Sequence, residues 1–355
     1  MNRRWKTGGL FDLAKTFFAI LIAILTTIVI VFLVSEEPLE SLESFFVGPF
    51  TSVRRFGNMI EAAMPILFCA LAVCVMFQAN QFSMIAEGSF FLGALIASVL
   101  AIKIILPTGL HPAVCIIAGG IAGGLLGGIP GYCKAKWGSN EFVISFMLNY
   151  VILHFCLLLL DTVILDPDAG SRISYVFHES AQLKVLFPGT RISTGIILCA
   201  LAVFATYVFL YRTNGGYTLR ITGMNRRFAD YAGMNTFGVL LCSQLIGGAI
   251  AGMGGAIEAI GLYDRFQWNA LPQYGFDGIT VAIIAKKNPK YVPIAAIFLA
   301  YIRTGADIMS RMNDVPNQVI SVIQALAIIL IAANGFLAGW SHKQVVKTSM
   351  AAKRG

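Results

Sequence analysis

Two groups of residues in this chain have types and spacings that point to chemistry. The first is a basic segment, Gly216-Tyr217-Thr218-Leu219-Arg220-Ile221-Thr222-Gly223-Met224-Asn225-Arg226-Arg227-Phe228-Ala229-Asp230-Tyr231-Ala232-Gly233, set between two long apolar stretches. Arg220, Arg226 and Arg227 are too costly to place in hydrocarbon, so the segment lies at a surface. A short amphipathic helix around Met224–Met234 would offer Phe228, Tyr231 and Ala232 to a groove on another protein, with arginines at the rim. The same pattern would also hold a basic segment on anionic lipid headgroups. The second group is a set of polar side chains inside apolar stretches: Glu87, Asn149, His154, Gln244, Glu258, Asp277 and Gln324. Such groups are expected to face the interior of a helix bundle, where they line a path or bond between helices. Asn149 offers both a donor and an acceptor, and Tyr274 and Phe276, beside Asp277, offer rings for stacking.

The elements that must position these residues are membrane helices. Apolar residues make up 57% of the 355 and charged residues 12%, about half the charged fraction of a soluble domain. The run Thr16–Val34 carries no charge and is long enough to span a bilayer. No small-residue cleavage site precedes Glu36-Glu37-Pro38, so it reads as a retained helix rather than a signal peptide. Further stretches fall at 62–77, 90–106, 112–131, 142–160, 192–211, 237–257, 278–285, 291–302 and 318–338, giving ten in all. Gly278–Ala285 and Tyr291–Ile302 are short. They read equally as broken helices beside a transport path or as parts of longer tilted helices.

The net charge of +8 is a topology signal. Starting with the N-terminus inside, alternate segments collect Arg3, Arg4, Lys134, Lys136, Arg212, Arg220, Arg226, Arg227, Lys286, Lys287, Lys290, Lys343 and Lys347, while the others hold about half as many cations and most of the acids. The chain therefore reads as one all-α transmembrane domain over 1–355, with about ten crossings and both termini cytoplasmic. Residues 1–15, 212–236 and 339–355 form the N-terminus, a cytoplasmic loop and the C-terminal tail. A nucleic-acid binder would gather its basic residues on a soluble face, and no such domain is legible.

The glycines at 119, 123 and 127, with 120, 124 and 128 alongside, recur at the spacing of a helix–helix contact, as do Gly248 and Gly252. No G-x-x-x-x-G-K-[ST] run exists, so an ATPase would have to be another polypeptide. The seven cysteines form no C-x-x-C pair and the histidines are scattered, which predicts neither metal nor cofactor. No clustered catalytic set is present, so the chain does not read as an enzyme. A secondary transporter working alone, with Glu87 and Asp277 as proton or cation sites, is the reading from a different class.

Four stretches carry a family resemblance. Phe82-Ser83-Met84-Ile85-Ala86-Glu87-Gly88-Ser89 is similar to F-N-I-G-x-E-G-Q. Pro130-Gly131-Tyr132-Cys133-Lys134-Ala135-Lys136-Trp137-Gly138-Ser139-Asn140-Glu141, followed by Met147-Leu148-Asn149-Tyr150, is similar to K-A-x-x-G-x-N-E…M-L-N-Y. The basic segment is similar to G-x-x-L-R-x-x-G-x-N-x-x-A-x-x-x-G, and Tyr274-Gly275-Phe276-Asp277-Gly278-Ile279-Thr280-Val281-Ala282 to Y-G-F-D-G-I-A-V-A. In this order they resemble the membrane permeases of ATP-binding-cassette (ABC) importers, closest to the nucleoside and simple-sugar branch. Ser83, Ser89 and Asp230 depart from the pattern.

The resemblance implies a permease subunit translocating nucleosides, with simple sugars such as ribose or galactose as the alternative. Its implied partners are a paralogous permease, an ATP-binding subunit with two nucleotide-binding domains, and an extracytoplasmic binding lipoprotein in a prokaryotic cytoplasmic membrane. The polar and aromatic residues inside the spans place the candidate substrate path at Glu87, Asn149, Tyr274, Phe276 and Asp277, each of which reads also as an interhelical contact. Coupling to the ATPase falls to Arg220, Gly223, Asn225, Arg226, Phe228, Ala229 and Gly233, with Gly223 and Gly233 ending or tightening turns.

Overall fold

The computed structural model describes residues 37–312, together with Leu25, Ile28, Val29, Val31, Phe32 and Val322. The stretches Thr16–Val34 and 318–338, the tail 339–355 and Gln324 otherwise lie outside the described residues. The ten-crossing count and the placement of both termini lie there with them.

Every regular element among the described residues is helical: α1 (Pro38–Phe46), α2 (Val53–Gln78), α3 (Ile85–Lys103), α4 (Leu110–Trp137), α5 (Glu141–Leu159), α6 (Gly195–Arg212), α7 (Asn214–Met224), α8 (Arg226–Tyr231), α9 (Thr236–Leu262), α10 (Tyr274–Ile284) and α11 (Val292–Met312). A π-turn over Leu160–Ile164 continues α5. Seven of these helices are long and apolar enough to cross a membrane, and α10, with 11 residues, is not. An 11-residue helix rises about 16 Å, roughly half a hydrocarbon core.

This separates the two short stretches. Gly278–Ala285 belongs to a broken helix. Tyr291–Ile302 does not, because residues up to Met312 extend it into the 21-residue α11. The polar residues Arg303, Thr304, Asp307 and Arg311 had hidden that extension from an apolar-run reading. His154 corrects another expectation. It is exposed on α5, on a face shared with Val151, Phe155 and Leu158, and does not point into the bundle.

The chain forms two compact units, residues 56–300 and residues 1–55 with 301–355. In the smaller, the Tyr301 hydroxyl donates to the Phe46 carbonyl at 2.9 Å. The larger is centred on α9, packed against α4 and α3. Glycine makes that packing close. A Cβ added at Gly123 would meet the Gly248 carbonyl at 2.5 Å, one at Gly119 would meet the Ala256 Cβ at 2.9 Å, and one at Gly93 would reach the Gly252 Cα at 2.6 Å. With no hydrophobic drive between helices in lipid, such backbone contact supplies the dispersion and weak polar attraction that hold the bundle together. Gly252→Leu is therefore expected to separate α3, α4 and α9, lowering the melting temperature of the detergent-purified protein. The mirror-side change Ile121→Leu, on an exposed position of α4, is expected to leave it within error.

The segment after α5 is pinned to the helix ends by backbone bonds. Ser174 N–H donates to the Phe266 carbonyl, Phe177 N–H to that of Asp264 and His178 N–H to that of Ala101, all at 2.9–3.1 Å. Ion pairs Arg265–Asp166 (2.6 Å) and Arg172–Asp161 reinforce it.

Candidate functional site

α10 starts inside the bundle. From Tyr263 to Gln273 the chain is not helical and runs back along α3. Phe266 packs on Phe91, Trp268 on Phe90 and Phe91, and Tyr274 on Phe90 (ring centroids 5.3–6.3 Å). Non-helical backbone at this depth survives only where its polar groups are satisfied by protein or face a cavity. The first N–H groups of α10 have no intrahelical acceptor, and Gln273, at φ 66°, offers no side-chain cap. Glu87 supplies it. One carboxylate oxygen accepts from Gln273 N–H at 2.6 Å and the other from Gly275 N–H at 2.5 Å. A carboxylate at a helix N-terminus also meets the positive end of the helix dipole. Gly275 is needed because an added Cβ would reach the Glu87 Cα at 2.7 Å.

The other motif residues form a brace around Glu87. Asn149, 1% exposed, accepts from Gly88 N–H at 3.0 Å and donates to the Met84 carbonyl at 2.9 Å. Ser145 accepts from Met84 N–H at 2.9 Å. Glu141 accepts from Phe82 N–H at 3.3 Å and pairs with Lys134 at 2.8 Å. Asn140 caps α5 through Phe142 N–H. Ser89 donates to the Gly123 carbonyl at 3.0 Å. Three of the four sequence motifs are thus one connected polar structure that fixes the start of α3, which in turn fixes the start of α10.

The candidate path residues consequently divide. The polar groups of Glu87 and Asn149 are engaged with backbone, in the interhelical role. Tyr274, Phe276 and Asp277 are only partly covered, on the start of α10. Gly275, Gly278, Ile279, Val281 and Ala282 form the opposite, buried face, and Gly278 seats on Cys69. Sequence reading missed the stretch Asp264–Gln273, with half-covered Trp268 and exposed Gln267 and Asn269. Its signal was present as an aromatic and polar run between Gly261 and Pro272, too polar for a helix in lipid and too aromatic for a plain loop. Elsewhere in the core, Gln244 donates to Gln81 at 2.7 Å, while Gln81 donates to Ser243 and the Leu240 carbonyl. Glu258 is also buried.

The basic segment is two helices, α7 and α8, broken at Asn225. The short helix expected around Met224–Met234 is α8, and α7 precedes it. Asn225 leaves helical geometry and accepts from Phe228 N–H at 3.1 Å, capping α8. Ala229 and Leu219 anchor the two helices in the core, whereas Phe228 (58% exposed) and Tyr231 (92%) project outward with Arg226 and Arg227. Ala232 is exposed beyond the end of α8. Asp230 accepts from the Thr236 hydroxyl at 2.6 Å, tying α8 to the start of α9.

Gly233, at φ 77°, does terminate a turn. Gly223 does not, because it lies within α7 and is held by close approach to the Gln78 carbonyl at the end of α2. The Arg220 guanidinium stacks on Tyr211, 4.9 Å from the ring centroid.

Residues 56–333 match the family model described as the branched-chain amino acid transport system / permease component. Among curated relatives, a glucose ABC transporter permease protein of Haloferax volcanii is 29% identical over 84% of this chain and 82% of its own. A guanosine ABC transporter permease protein of Bacillus subtilis is 29% identical over 81% and 83%. A nucleoside ABC transporter permease protein of Lactococcus lactis is 24% identical over 95% of both. No solved structure gives a significant match. With the family model covering most of a chain whose motifs interlock as described, this protein belongs to the branched-chain amino acid transport system permease component family.

Proposed function

We propose that this multi-pass permease carries nucleosides inward across a prokaryotic cytoplasmic membrane, paired with a paralogous permease. As a family member it is the membrane transport component of an ABC system and not an enzyme. Such a system includes an ATP-binding subunit and a substrate-binding protein. The observation that carries the proposal is the broken helix. α10 begins within the bundle, and its less covered face presents Tyr274, Phe276 and Asp277, with Trp268 packed on the same Phe90 as Tyr274, where a polar solute with a ring finds stacking surface and hydrogen bonds. Glu87 and Asn149 serve this path by holding its backbone in place. Two relatives named for guanosine and nucleosides support the substrate class. The glucose relative supports a monosaccharide as the second reading.

The ATPase would dock on α7 and α8. Phe228 and Tyr231 would enter its groove and Arg226 would sit at the rim, while Asn225, Ala229 and Gly233 fix the shape of the pair and Arg220 and Gly223 connect it to the core. The alternative of a lone secondary transporter leaves these outward aromatics without a role.

The substrate is tested by calorimetric screening of the cognate binding protein. Tight binding of a nucleoside is the expected result. Tight binding of a monosaccharide, with no response to any nucleoside, would overturn the assignment and leave the permease reading intact.

A further inference from the structure

Behind α7 lies a cavity of about 420 Å³, whose walls include Phe77, Gln78, Tyr211, Tyr217, Arg220 and Lys287. It is distinct from the path at α10, and its size lies within the range of small-molecule sites. Its chemistry is one-sided. Arg220 and Lys287 both face it, neither forms an ion pair among the described residues, and no acid lines it. The Arg220 Nε is buried without a hydrogen-bond partner, an arrangement that costs stability unless something accepts from it. Three rings accompany the cations, and Lys287 Nζ lies 5.5 Å from the Phe77 centroid. Tyr217 remains half exposed, and Asn80 adds an exposed amide at the rim.

We propose that this cavity binds a phosphate monoester carrying an aromatic ring, specifically a nucleoside 5′-monophosphate, and that its occupancy slows transport. The phosphate meets Arg220 and Lys287 through charge-assisted bonds, the base stacks on Tyr217, and Asn80 meets the edge of the base. A bare phosphate would use the cations and leave the rings without a role. A neutral nucleoside would leave the cations uncompensated.

The regulatory consequence follows from the walls. Tyr217, Arg220, Ile221, Gly223 and Met224 belong to α7, while Gln78 ends α2 and Lys287 lies in the turn after α10. A ligand bridging them fastens α7 to the bundle and restrains its movement. The choice of nucleotide rests on the nucleoside reading, because the ligand is the phosphorylated counterpart of the proposed solute.

The test uses the full-length permease with its paired permease but without the ATP-binding subunit and the binding protein, in nanodiscs, titrated calorimetrically with guanosine 5′-monophosphate, guanosine, inorganic phosphate and glucose 6-phosphate. The nucleotide is expected to bind at least about tenfold tighter than the other three, the gain of one well-placed set of contacts. Lys287→Gln and Tyr217→Ala are each expected to weaken it by about tenfold while uptake without nucleotide persists. In proteoliposomes, nucleotide on the ATP side is expected to slow wild-type uptake and to lose that effect in both variants. Nucleotide binding no tighter than that of phosphate, equal binding of glucose 6-phosphate, or binding unaffected by both variants would overturn the proposal. Because binding is measured on the permease, its failure is distinguishable from failure of the substrate assignment, which is read on the binding protein.

Discussion

Glu87→Ala is expected to remove uptake and to lower the thermal stability of the purified protein sharply. The carboxylate is the acceptor for two backbone N–H groups at the start of α10, the Gly275 one buried and the Gln273 one part-buried. Orphaning the buried Gly275 donor costs about 1–3 kcal/mol, and the part-buried Gln273 donor adds less, together a sizeable part of a typical folding free energy. Glu87→Gln is expected to fall between wild type and alanine. One amide oxygen still accepts, while the amide NH₂ faces the second N–H as donor against donor. If the path used Glu87 as a proton or cation carrier, Gln and Ala would abolish uptake alike while both proteins kept the wild-type melting temperature. Graded loss of stability in the order wild type, Gln, Ala is the signature of the capping role.

The second large effect is expected at Gly223. Any β-carbon there overlaps the Gln78 carbonyl, which is backbone and cannot swing aside. Gly223→Val should displace α7 from the end of α2 while leaving the exposed docking residues on α8 intact. On the coupling proposal, uptake falls by about 5–150-fold, the range of ordinary coupling free energies, while the assembled complex still hydrolyses ATP. Gly233→Val is the internal comparison. Its surroundings are open and only its left-handed φ of 77° is strained, so a penalty of about 1–2 kcal/mol should give a milder defect. Equal uptake by a well-expressed Gly223→Val protein would remove this contact from the coupling mechanism.

These two residues also show where sequence reading reached and where it stopped. The apolar runs determined the class, because hydrocarbon demands helices and sets their length. The glycine spacing on α4 and α9 determined which faces would meet, because only glycine allows that approach. The four motifs determined the family. Sequence also marked Glu87, Asn149 and Gly223 as special, but the physical reason for each lay in partners distant along the chain. Glu87 is explained by Gln273 and Gly275, Asn149 by Met84 and Gly88, and Gly223 by Gln78.

A single apolar profile could not separate the two short stretches either. A half-length helix is stable in a membrane only if a distant side chain satisfies its free end, and that acceptor is a property of tertiary placement. The same holds for the break at Asn225. Asn is a good cap wherever a helix starts, yet the start is fixed by Leu219 and Ala229 finding the core on either side of it. Composition and periodicity thus decided what the helices are. Packing decided where their backbones interrupt, because an interruption in lipid exists only where neighbouring elements satisfy it.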